Sequence, residues 1–134
     1  MCRMNLRGVF APIPTPFDRD GRLDLDTLGA ACVRWAASPL DGIVVLGSTG
    51  EAALLDDAES DRVLAFARDR WPSDRRFIAG TGRESTRAAI DAARRAADLG
   101  ADAVLVRTPG FYKSQMTTDA SGTAMARVPI PPWM

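Results

Sequence analysis

At 134 residues the chain has room for one domain with its own core, and not for two. Its 17 basic and 17 acidic residues cancel, so there is no polyanion-binding field and nucleic acid is excluded as a partner. The absence of histidine removes imidazole-based zinc sites and His-based triads, and the two cysteines, Cys2 and Cys32, have neither metal nor disulfide spacing.

No stretch of about 18 apolar residues is available to span a bilayer, and Met1 to Arg7 is too short and polar for a secretory leader. A reduced, cytoplasmic protein with no metal, no cofactor and no membrane partner is the expectation.

In chain order, the first apolar run, Gly8 to Ile13, predicts a strand. Leu25, Leu28, Cys32 and Trp35 then recur at helical spacing, with Asp24 placed to cap and Ser38-Pro39 to close. A second strand is predicted over Gly42 to Leu46. The next helix opens on Asp56-Asp57-Ala58-Glu59, where Asp56 and Glu59 have capping-box spacing, and buries Val63, Leu64 and Ala67. Arg76 to Ala79 is the third strand. A third helix starts at Ser85 or Thr86, turns Ala89, Ile90, Ala93 and Ala97 inward, and ends at Gly100, a residue suited to a left-handed cap. Ala103 to Val106 is the fourth strand. The last three strands begin at intervals of roughly 30 residues, about the length of one strand–helix–strand unit.

Alternating elements with strands apolar throughout imply an α/β fold, a parallel sheet covered by helices. Local pattern leaves two architectures, a doubly wound sheet or a barrel, because both use right-handed crossovers. From Thr117 to Met134 no helical or strand period survives, and this tail is expected to be irregular.

Chemistry in parallel α/β folds gathers at the carboxyl ends of the strands. Behind the second strand stands Gly47-Ser48-Thr49-Gly50-Glu51. Its glycines let backbone approach a ligand, and Ser48 and Thr49 offer hydroxyls and amides able to hold a carboxylate. The same residues also suit a turn whose hydroxyls cap the next helix, and the sequence leaves these two readings level. Gly80-Thr81-Gly82-Arg83-Glu84-Ser85-Thr86, behind the third strand, reads better as a tight turn and N-cap. Neither cluster has the spacing or the lysine of a phosphate-binding loop. Behind the fourth strand, Tyr112 suits either a proton relay or an ordinary amphipathic contact, while Lys113, the only lysine, could form a Schiff base if desolvated but sits in a polar flank that would keep it protonated.

Taken together, these segments resemble the dihydrodipicolinate synthase / N-acetylneuraminate lyase family of pyruvate-type aldolases. Gly8 to Phe17, with its Thr15-Pro16-Phe17 ending, is similar to the family's first strand, and Gly47 to Glu51 to its Gly-Ser/Thr-Thr-Gly-Glu signature. Ile78 to Gly82 with Glu84-Ser85-Thr86 is similar to the third-strand segment, and Ala101 to Val106 with Thr108-Pro109 to the lead into the tyrosine loop. The resemblance implies a (β/α)8 TIM barrel, usually a homo-oligomer, acting on a small 2-oxo acid such as pyruvate. It assigns substrate binding to Gly47, Ser48 and Thr49, and catalytic roles to Ser48 and Tyr112.

Residues 1–116 would then be the N-terminal half of such a barrel, about four βα units, and residues 117–134 a frameshifted or truncated tail. The resemblance also implies a fifth-strand tyrosine motif and a sixth-strand lysine that forms an imine with the substrate. Neither motif occurs in this sequence. Two expectations follow. The chain is a lyase relative that cannot catalyse alone, or it is a half-barrel that binds a small carboxylate or pairs with a full-length relative.

Overall fold

The computed structural model describes residues 6–110 together with a short strand at Ala124–Ala126. Four strands, β1 (Phe10–Pro12), β2 (Gly42–Val45), β3 (Arg76–Gly80) and β4 (Ala103–Val106), lie parallel and in sequence order. Between them run α1 (Leu25–Ala36), α2 (Asp57–Arg70) and α3 (Thr86–Asp98).

The helices begin where side chains satisfy their free amides. Asp24 accepts from the Thr27 N–H at 2.9 Å, and Ser85 from the Ala88 N–H at 3.1 Å. At α2 the capping box is complete: Asp56 accepts from the Glu59 amide at 2.7 Å while Glu59 accepts from the Asp56 amide at 3.0 Å. Gly100, at φ 88°, follows α3 in the left-handed region expected of a helix-ending glycine.

Register decides the architecture. Ile43 pairs with Phe77, and Val45 with Ala79, which in turn pairs with Val104. These alternate residues share one buried cluster with Leu28 and Cys32 of α1, Val63, Leu64 and Ala67 of α2, and Ala96 of α3. All three helices therefore pack on the same face of the sheet. A doubly wound sheet reverses its strand order and puts helices on both faces, whereas strands in sequence order with helices on one side form a segment of a barrel wall.

Three sequence expectations change here. Leu46, expected to end β2, lies outside it at φ 60°, a left-handed conformation that no pleated strand accommodates. Ile90, expected to face inward, is 47% exposed, and α3 instead buries Ala92 and Ala96. An alanine-rich helix can lie close to the sheet on its small residues, which leaves the one large side chain outside. The tail also contributes a strand where none was expected: β5 (Ala124–Ala126) runs antiparallel to β4, with Leu105 opposite Met125. The open edge of β4 presents unpaired amides and carbonyls to any extended segment, and three residues are too few to leave a period in the sequence.

Candidate functional site

At the carboxyl ends of β2, β3 and β4 is a cleft of about 350 Å³. Its wall on the β2 side comprises Leu46, Gly47, Ser48 and Glu51, followed by the 3-10 turn Ala52–Leu54. Gly80 and Gly82 of the segment ending β3, and Leu105 and Arg107 of the segment ending β4, complete it.

The β2 loop is shaped by contacts that its own residues do not advertise. Leu46 is 2% exposed and held left-handed, a conformation costing roughly 1–2 kcal/mol per residue for an L-amino acid. Its carbonyl is directed across to β3, where a Cβ on Gly80 would collide with it. Gly80 is thus required by the neighbouring strand rather than by its own backbone angles. On the other side, a Cβ at Gly50 would stand 3.0 Å from the Leu46 amide nitrogen and 3.2 Å from the Ile13 carbonyl. Thr15, only 4% exposed and three residues beyond β1, fixes the loop by donating its hydroxyl to the Gly50 carbonyl at 2.7 Å.

Within this frame the loop folds into successive tight turns, Gly50 N–H to the Gly47 carbonyl and Glu51 N–H to the Ser48 carbonyl, each 3.1 Å. Among the described residues, no protein acceptor takes the amide N–H of Ser48 or Thr49. Both residues are exposed. Nor do their hydroxyls cap the following helices: Glu51, the N-cap of the 3-10 turn, makes no side-chain cap bond, and α2 is capped by Asp56. The turn half of the turn-and-cap reading therefore holds and the cap half does not: among the described residues, the Ser48 and Thr49 amides and hydroxyls have no protein partner.

The β3 loop behaves largely as the sequence suggests, with Ser85 as an N-cap. It is also tied to α2. Arg83 donates to Asp57 through Nε at 3.2 Å and Nη2 at 3.0 Å, and Arg95 approaches the other Asp57 oxygen at 3.0 Å. The Arg83 hydrogen bond is the main cause that holds the Asp57 carboxyl below the usual aspartate range. At the end of β4, Arg107 pairs with Glu84 at 2.9 Å, and Glu84 accepts from the Gly110 amide at 2.9 Å.

Residues 5–120 match the Dihydrodipicolinate synthetase family. The chain belongs to that family. A 4-hydroxy-tetrahydrodipicolinate synthase from Xylella fastidiosa is 42% identical over 110 residues, 82% of this chain and 36% of the relative. Dihydrodipicolinate synthase from Aquifex aeolicus superposes with a TM-score of 0.75 at 33% identity, over 79% of this chain and 36% of that one. A prophage protein of the dihydrodipicolinic acid synthase family from E. coli K12, solved in complex with pyruvate, gives 0.76 at 30% identity over 81% and 37%. The chain spans a little over a third of the length of these family members.

Of the residues singled out from sequence, Gly47 and Ser48 line the cleft, and Thr49 follows them in the same exposed turn without being part of the lining. Tyr112 and Lys113 lie outside the described residues. Sequence reasoning missed the supporting roles of Thr15, Leu46 and Gly80, and it missed Arg107 as a cleft residue. Thr15 carried a signal, its place in the Thr-Pro-Phe ending of the first strand; the others depend on contacts between strands. No helix among the described residues is long and apolar enough to cross a membrane.

Proposed function

We propose that this chain forms the carboxylate-holding side of an aldolase-type site for a small 2-oxo acid such as pyruvate, and that it performs no imine chemistry by itself. The observation that carries this reading is the pair of adjacent amides, Ser48 and Thr49, free of protein acceptors among the described residues, in a loop whose shape is fixed from the segment after β1 and from β3. Amides positioned in advance bind an anion without the ordering cost that a floppy loop would incur. The Ser48 hydroxyl can add a third donor and can pass a proton to or from the bound acid, and Tyr112 is its proposed partner in that relay.

Covalent catalysis of this type needs an amine that condenses with the oxo group and then withdraws electrons from the adjacent carbon. The sequence offers one lysine, Lys113. Its sequence neighbours Ser114 and Gln115 are polar, and a lysine becomes nucleophilic at neutral pH only where apolar burial or a neighbouring cation favours its neutral form. The proposed activity is accordingly binding without turnover, and the resemblance to pyruvate-type aldolases leads us to expect a homo-oligomer.

Two measurements test this. Pyruvate should bind saturably in a calorimetric titration, with the S48A variant about tenfold weaker, as expected for a lost hydrogen bond to an ionised ligand. Borohydride reduction in the presence of pyruvate should leave the intact mass unchanged. A stable adduct would overturn the non-covalent half of the proposal, and absence of binding would overturn the other.

A further inference from the structure

The cleft has two charged residues in its lining, Glu51 on the β2 side and Arg107 at the end of β4. With β3 between them in the sheet, they stand at opposite ends, two strand spacings or roughly 10 Å apart at the backbone. The Ser48 and Thr49 amides belong to the β2 end. A ligand that places one carboxylate there and extends across β3 reaches a guanidinium.

Several features place Arg107 for this purpose. A Cβ at residue 82 would stand 2.5 Å from Arg107 Cγ and 3.0 Å from its amide nitrogen, so glycine at that position leaves room for the arginine stem to lie along the cleft. Glu84 holds one end of the guanidinium at 2.9 Å, and the Thr108 carbonyl is near Nη1 at 3.5 Å. A guanidinium has five N–H donors in a fixed fork, so these partners leave donors for a ligand while restricting the head group's rotation. The side chain remains 42% exposed at the cleft mouth.

We infer that Arg107 makes the cleft selective for 2-oxo acids carrying a second carboxylate, of the oxaloacetate or 2-oxoglutarate type, over pyruvate. This rests on the 2-oxo acid reading of the cleft, with the first carboxylate at the Ser48 and Thr49 amides and the second at Arg107. Glu84 and Gly82 are positioning residues for the arginine.

Calorimetric titration of the full chain with pyruvate, oxaloacetate and 2-oxoglutarate, in the parent and in R107Q and R107K, tests the inference. The parent should bind at least one dicarboxylic acid about tenfold more tightly than pyruvate, the scale of one charge-assisted contact. R107Q should bring that ratio close to one, and R107K should retain part of it, because lysine keeps the charge and loses the fork. Equal affinities in the parent, or a preference that survives R107Q, would overturn the inference while leaving pyruvate binding intact. If none of the three acids binds, the carboxylate reading of the cleft fails and this inference fails with it.

Discussion

The two loops that face each other across the cleft are held in different ways. The β2 loop is pinned by backbone and buried side chains: Leu46 is left-handed, Gly80 makes room for its carbonyl, and Thr15 bonds to Gly50 from a site 4% exposed. The β4 end is held by an ion pair whose two members are 42% and 51% exposed. Steric exclusion and buried hydrogen bonds are insensitive to salt and have few alternative arrangements, whereas an exposed ion pair is screened and adjustable. The difference suits a site that grips a constant feature of its ligand at one end and discriminates a variable feature at the other.

Substitutions should separate the two kinds of support. The largest effect is expected for G80A, since the added methyl meets backbone at Leu46 that cannot rotate away; overpacking of this kind should cost about 3 kcal/mol in urea unfolding. A parent-like midpoint would mean that the β2 loop is softer than its contacts imply. T15V should cost about 2 kcal/mol, because it leaves the Gly50 carbonyl without its buried donor, and it should weaken pyruvate binding as the loop relaxes. By contrast E84Q should change stability by less than about 1 kcal/mol, the usual worth of an exposed pair. A loss as large as that of T15V would erase the contrast between the loops.

Acid provides an independent handle on the β3 loop. Asp57 is held below the usual aspartate value of 3.8, chiefly by Arg83. A carboxyl with a depressed folded pKa favours the native state above its unfolded pKa, and this contribution disappears as pH falls through the folded value. D57N should therefore be less stable than the parent at neutral pH, and the two should converge below pH 3.8. A gap that stays constant into acid would assign the effect to packing instead of charge.

Much of the fold was legible in the sequence because its signals are local. The apolar runs at Gly42 to Leu46, whose first four residues form β2, and at Arg76 to Ala79, and the Asp56 and Glu59 capping box, need only neighbouring residues to act. Local pattern did not choose between a barrel wall and a doubly wound sheet, since that depends on which face the helices share; the barrel was expected from the family resemblance carried by Gly8 to Phe17 and Gly47 to Glu51. At the site, Gly47 and Ser48 were identified by composition and position. The left-handed turn at Leu46 was not, because a leucine after two valines reads as strand, and the glycine that makes room for its carbonyl, Gly80, lies 34 residues away. Ile90 misled for a related reason: hydrophobicity predicts burial only when the helix does not sit on its alanines.

The central claim is that the turn after β2 receives the negative end of a small acid. An amide-resolved NMR titration with pyruvate tests it most directly. Saturable shifts of the Ser48 and Thr49 amide resonances are expected, accompanied by those of Gly47 and Gly50. Shifts confined to other parts of the chain, or none at saturating pyruvate, would contradict it.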